Sequence, residues 1–583
     1  MKKLLVYLSK YKKECVLAPL FKLLEASFEL VVPLVVASLI DTGIGNNDSG
    51  YVVKMALVLV AFAVVGYAFA IIAQYFSAKA AVGCATELRS SLFAHIMKLS
   101  FKNSDEQGSA TLITRMTSDV NQVQSGVNMT LRLFLRSPFI VFGAMIMAFT
   151  VDVKAALIFA AVIPVLLLVV FILMRITVPR QKKAQGSLDK VLGLTRENLT
   201  GVRVIRAFGL ENHENEVFEK ETGNLKRFQE VAGRISAAMN PLTYVIINAA
   251  LIILLYSGAI RVEAGVLTGG AVVALVNYVS QILVELIKLA NLCVTIAKAI
   301  ACGDRIQAIM EIPEGMAVID AFGELTSEDE IPAVEFKNVN AKYSESGEDA
   351  LEDISFFAKK GETIGVIGGT GSGKSSLVRL ISRAYDVSAG NVFVNGRDVR
   401  AYKQSELRKK IGTVMQKAVL FKGTIRNNLK WGNPEATDED IWEALETAQA
   451  AEIVRKKEAD VKKKNENLTA LDAPVEQEGR NFSGGQKQRL SIARTLIQKP
   501  DILILDDSSS ALDYATDAAL RKALKNLPWK PTTFLVSQRT TSIMHADRIL
   551  VMDDGRLVGN GTHEELLKSC EVYREIYETT NAN

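Results

Sequence analysis

Cysteine is scarce in this 583-residue chain: Cys15, Cys84, Cys293, Cys302 and Cys570 are scattered, odd in number and without metal-ligand spacing. A disulfide framework and a zinc site are therefore not expected, and the thiols read as reduced and structural. Charge of one sign is also lacking. The 68 basic and 64 acidic residues leave a net +4, which gives no pointer to nucleic acid. No small-residue cleavage pattern closes the apolar stretch after Lys2, Lys3, Lys10, Lys12 and Lys13. That stretch runs on past Glu25 and Glu29 to Asp41, so it is expected to be retained. What is abundant is apolar: 49% of residues are hydrophobic and the mean hydropathy is +0.19. This is high for a soluble enzyme, and the chain is too long for one ordinary domain.

Crossing a bilayer takes about 20 apolar helical residues, and runs of that kind lie near 15–40, 52–76, 131–149, 155–174, 241–259 and 271–292. About six crossings are predicted. Between Val52 and Phe101 there is no proline and the helical pattern does not stop. A helix of about 50 residues would be roughly 75 Å long, so it must protrude from a hydrocarbon layer of about 30 Å. The basic segment 180–183 and the stretch 184–234 predict a second protrusion. The loop 43–51 has no lysine or arginine while the protrusions are rich in both, so protrusions and termini are expected on the cytoplasmic side. Ala110–Asp119 and Gly201–Phe208 then sit at the tips, where a short mixed helix can dock on another domain.

Polar residues inside crossings are costly and need a reason. Lys22, Glu25 and Glu29 share a helical face, Arg132 and Arg136 are four apart, and Asn277, Gln281, Glu285 and Lys288 form a stripe. Two readings stay open: a water-accessible cavity that handles a substrate, or ion pairs and hydrogen bonds that hold the bundle together.

An acidic, turn-rich stretch at 312–331 reads as a linker, and a soluble α/β pattern follows. The strand at 362–367 runs into Gly368, Gly369, Thr370, Gly371, Ser372, Gly373, Lys374, Ser375 and Ser376, and then into a helix. This is a P-loop in its required strand-to-helix setting. Glycines let the backbone wrap phosphates, Lys374 reaches the terminal phosphates of ATP, and the Ser375 hydroxyl suits Mg²⁺. A second buried strand ends in Asp506, the acid expected to hold the magnesium.

Between these motifs lies Asn481-Phe482-Ser483-Gly484-Gly485-Gln486, which resembles the signature of ATP-binding cassette (ABC) proteins, with Phe482 in place of the usual leucine. The order of landmarks fits as well: Tyr343 matches the adenine-stacking aromatic, Gln416 the Q-loop glutamine, and Ser510–Asp513 the D-loop. The resemblance covers essentially the whole chain and is to an ABC exporter half. It implies an all-α transmembrane domain of six long helices at 1–311, the linker, and an α/β P-loop nucleotide-binding domain at 332–583. It implies ATP bound by Tyr343, the P-loop and, across a dimer, Ser483–Gln486 of one chain on the partner's nucleotide. Magnesium is expected at Ser375, Gln416 and Asp506.

Two departures stand out against that family. Asp507 occupies the position of the water-polarising glutamate, and Gln538 that of a histidine. With the signature intact, these predict a site kept for binding and slow at chemistry, in a heterodimer whose partner supplies the active residues. The expected function is export of amphipathic or lipophilic compounds of the multidrug type from a bacterial cell membrane, because no peptidase domain precedes the first crossing. A peptide or lipid exporter is the nearest rival. An ATP-gated channel or sensor is a further class, although no long regulatory insertion is present.

Overall fold

The computed structural model describes the chain except residues 1, 317, 320–330, 344–348, 464, 465, 509, 582 and 583. Most of the expected linker lies outside the described residues. The chain divides into two compact units, Met1–Met97 with Ser109–Ile312, and Lys98–Gly108 with Pro313–Asn583.

The first unit is helical. Its long elements are α1 (Lys12–Ser38), α2 (Ser49–Ile96), α3 (Val120–Leu133), α4 (Arg136–Val151), α5 (Val153–Phe208), α6 (Glu211–Glu263) and α7 (Gly269–Met310). Local chemistry sets their ends. Asp48, Asp152 and Thr268 cap the first turns of α2, α5 and α7, and Gly209, in the left-handed region, closes α5. Pro33 and Pro241 lie inside continuous helices. Among the described residues five helical stretches are long and apolar enough to cross a membrane. The remaining expected crossing, 155–174, is the first part of the 56-residue α5.

Close packing depends on small residues. A Cβ on Gly126 would lie 2.3 Å from that of Ala299, which brings α3 onto α7, and one on Gly143 would lie 2.4 Å from Leu30 Cδ1. Ala26, Leu30, Ile140, Ala144, Leu254 and Tyr278 share a buried core. The Tyr278 hydroxyl donates to the Leu30 carbonyl at 2.8 Å, so its polar end is satisfied within the bundle.

The polar residues of this unit make ion pairs. Arg136, 6% exposed, bonds Glu285 and Glu29 at 2.6 Å each, tying α4 to α7 and α1. Ser137 donates to Glu285 at 2.7 Å and Lys288 at 2.8 Å. Lys22 pairs with Glu25. Gln281 donates to the Glu29 carbonyl at 3.3 Å, while Asn277 bonds back to Val273 of its own helix. For these residues the glue reading describes the contacts present. Arg132 is the exception, and it is taken up below.

The second unit has a six-stranded sheet built from β1 (Thr363–Gly368), β2 (Ile411–Val414), β3 (Ile502–Asp506), β4 (Thr532–Val536), β5 (Arg548–Asp553) and β6 (Arg556–Gly561). Their spatial order is β6-β5-β1-β4-β3-β2, with β5 to β2 parallel and β6 antiparallel at the edge. The central strands are apolar runs, as strands covered on both faces require; all five residues of β3 are buried. A four-stranded antiparallel sheet, led by Leu351–Ala358 and Val334–Ala341, packs its Phe336, Ile354 and Phe356 into the same core.

Lys98–Gly108 belongs to this second unit. Ser100 caps the short helix Phe101–Gln107, Tyr385 donates to Asp105 at 2.6 Å, and the Arg408 guanidinium lies 5.8 Å from the Phe101 ring. The stretch just before Ala110–Asp119 thus packs on the nucleotide-binding fold. Ala110–Asp119 and Gly201–Phe208 both belong to the helical unit. The helix α2 stops at Ile96, five residues short of the expected Phe101.

Candidate functional site

Four adjacent parallel strands, β1, β4, β3 and β2, bring the expected site residues to one edge. The P-loop follows β1, Ser537 and Gln538 follow β4, Asp506 and Asp507 stand at the end of β3, and Gln416 follows β2 by two residues. The carboxyl ends of such a sheet are where ligands bind in open α/β folds. They line a cleft of about 390 Å³ together with Tyr343, Thr370, Gly371, Gly373, Lys374, Ser375 and Ser376.

The loop is shaped for a polyanion. Gly371 has φ +86° and open space where a Cβ would be, so its backbone can approach a phosphate. Gly368 has no room for a side chain, since a Cβ would meet the Met552 carbonyl at 2.1 Å. Lys374 is buried and donates to the Gly368 carbonyl at 2.9 Å, to that of Gly369, and to Ser372 Oγ at 3.2 Å. Burial pulls its ammonium below the ordinary lysine range, against the carboxylates of Asp507 and Asp506. Ser375 Oγ donates to Asp506 Oδ1 at 2.8 Å, a pair of hard oxygens of the kind Mg²⁺ takes. Tyr343 reaches over the loop with its hydroxyl 2.8 Å from Ser376 Oγ, and its ring meets Tyr385 edge-on at 5.0 Å.

Asp507 stands beside this pair with a left-handed backbone, φ +48°. Burial, and after it the charge of Asp506, holds its carboxyl above the ordinary range, while Gln416 Nε2 donates to it at 3.2 Å and works the other way. Gln416 is thus drawn to Asp507 rather than to Ser375 and Asp506, although all four line the same cleft.

Ser483, Gly484, Gly485 and Gln486 do not line this cleft. Ser483 caps the helix Gly484–Leu496 in a reciprocal box with Gln486, at 3.4 Å for Gln486 N to Ser483 Oγ and 3.0 Å for Ser483 N to Gln486 Oε1. Phe482 is buried in the adjoining core with Lys457 over its ring at 5.6 Å. The capped first turn of this helix thus stands outside the P-loop cleft.

Comparison with known proteins agrees with this geometry. Residues 15–286 match the family described as ABC transporter transmembrane region, and residues 351–510 match that described as ABC transporter. The chain is 34% identical over 580 residues to the uncharacterized ABC transporter ATP-binding protein YfiB of Bacillus subtilis, covering 99% of this chain and 98% of that one. The chain belongs to the ABC transporter family. It is also 31% identical to the putative multidrug export ATP-binding/permease protein YgaD of Bacillus subtilis, with 100% of each covered. The ATP-dependent lipid A-core flippase of Photorhabdus laumondii is 27% identical, covering 98% and 96%. Among solved structures, a bacterial Atm1-family ABC exporter with ATP bound matches with a TM-score of 0.78 at 22% identity, over 98% of this chain and 99% of that one. The fold is thus that of an ABC exporter, with a helical membrane domain and an ATP-binding cassette in one multi-pass chain. Such a cassette binds ATP and couples its hydrolysis to transport.

Some residues of the ABC cassette's cleft carry no motif. Ala350, Val536 and Ser537 line it through backbone placement, and the Val536 carbonyl accepts from Asp507 N at 3.0 Å. Tyr385, which edges the Tyr343 ring, is equally silent in sequence; an isolated tyrosine after the P-loop helix has no spacing to mark it.

Proposed function

We propose that this chain is the degenerate-site half of a heterodimeric ABC exporter of a bacterial cell membrane, moving amphipathic or lipophilic compounds outward, with both termini in the cytoplasm. One observation carries the reading: Asp507 and Gln538 stand at the P-loop cleft where the family's water-activating residues are expected, while the Ser483–Gln486 box is whole and does not line that cleft. A chain that keeps its contribution to a neighbour's site while weakening its own suits an unlike partner.

In this reading Tyr343 stacks on adenine, the P-loop amides and Lys374 hold the phosphates, and Ser483–Gln486 meet the nucleotide on the partner chain. Ser375, Asp506 and Gln416 would hold Mg²⁺, which when bound neutralises phosphate charge. Asp507 carries its carboxylate about 1.5 Å short of a glutamate's, and a displacement of about 1 Å can lower a rate about a hundredfold. Gln538 can hydrogen-bond a phosphate oxygen but cannot carry a proton.

The test is hydrolysis by the assembled transporter. Asp507→Glu combined with Gln538→His should raise ATP turnover at this site by about tenfold or more. No gain would mean that these two residues do not limit it. The likeness to a lipid A-core flippase favours a lipid as the alternative cargo, which a flipping assay with fluorescent phospholipid in proteoliposomes separates from drug export.

A further inference from the structure

Of the charged groups singled out in the crossings, all but one meet an opposite charge. Lys22 pairs with Glu25, and Arg136 and Lys288 pair with Glu29 and Glu285, which leaves three cations against three carboxylates. Arg132 adds a fourth cation. It is half-buried, its Nε is out of contact with solvent, and it has no hydrogen-bond or ion-pair partner among the described residues. An unpaired guanidinium in an apolar setting is strongly unfavourable, and in a membrane it marks a place where something else brings a negative charge.

Position narrows what that is. At 1.5 Å per residue Arg132 lies about 28 Å along the helix axis from Val151, against a hydrocarbon layer of about 30 Å. It therefore sits near the boundary of the layer at the end from which α2 and α5 protrude, where headgroups lie. The backbone stays close to helical through the break after α3, with Phe134 N on the Thr130 carbonyl at 3.1 Å and Phe139 N on the Leu135 carbonyl at 3.2 Å. Leu135 and Phe139 therefore share the face of Arg132, three and seven residues on. Both are exposed, so an apolar track leads from the guanidinium about 10 Å into the hydrocarbon region.

We infer that Arg132 receives the phosphate or carboxylate head of an anionic amphiphile whose tail lies along Leu135 and Phe139. The inference rests on the exporter reading and adds the charge class of the molecule handled. Arg136, paired with Glu29 and Glu285, positions the helices, whereas Arg132 binds. The shared chemistry fits either a phospholipid of the bilayer or a free single-chain amphiphile.

The test uses the complete transporter, with its partner chain, in nanodiscs of phosphatidylcholine, and reads binding of radiolabelled dodecyl phosphate without ATP. Arg132→Gln should weaken binding about tenfold, the scale of a charged hydrogen bond, while Arg132→Lys keeps it within about threefold. Binding of dodecyltrimethylammonium should not change in either variant. Added phosphatidylglycerol that competes with the probe identifies the bilayer lipid as the source, and absence of competition identifies the free amphiphile; both support the site. Equal affinity in wild type and Arg132→Gln, or no saturable binding to wild type, overturns it. So does dissociation of the two halves in Arg132→Gln at unchanged affinity, which would make an acidic side chain of the partner the true counter-ion. Failure of the exporter reading appears separately, as loss of ATP-driven movement of every amphiphile while dodecyl phosphate still binds.

Discussion

Arg136 and Glu285 illustrate how much a single buried charge depends on its neighbours. Glu285 is 2% exposed, and Arg136 supplies its guanidinium partner. Arg136→Ala should lower stability by about 1–3 kcal/mol, because Glu285 loses its guanidinium while keeping Lys288 and Ser137, and the unfolding midpoint in detergent should fall accordingly. Arg136→Lys keeps one cation and should lose less; an unchanged midpoint for the alanine variant would contradict the pairing. At the nucleotide site, Lys374→Ala removes the one ammonium aimed into the loop and should weaken ATP binding at least tenfold in a titration with a fluorescent analogue. Asp507 has a local cause besides function. At φ +48° an aspartate is better tolerated than most side chains, so Asp507→Glu should lower stability slightly even where it raises turnover.

At the scale of elements, the close seam between α3 and α7 is the most exposed to disruption. Gly126→Val would force a methyl into the space of Ala299, and overpacking of this kind typically destabilises by about 1–3 kcal/mol. Thermal unfolding of the variant, with Gly126→Ala as the milder step, measures it. Most of these helices were legible in sequence, because long apolar runs and Asp or Thr caps are local signals. The P-loop was legible for the same reason: a strand, a glycine-rich turn and a helix follow one another within about 20 residues. What escaped were contacts between distant residues. Nothing around Met97–Ser100 announces the end of α2 to a reader of periodicity, so the helix was expected to run on to Phe101. The choice between glue and cavity for the polar crossings was likewise undecidable, since Arg136 and Glu285 are 149 positions apart.

For the whole molecule, one helical unit and one cassette share the chain, and in the proposed function that chain is one half of a pair. Its signature helix begins with a capped turn that does not line the chain's own P-loop cleft. Its own cleft combines intact phosphate-holding groups with Asp507 and Gln538. The most direct test is ATP hydrolysis by this chain purified alone in lipid nanodiscs, compared with the same chain co-purified with its second half. The account predicts ATP binding but turnover at least tenfold lower for the chain alone, restored by the unlike partner. Full ATPase activity and transport by a homodimer of this chain would contradict it.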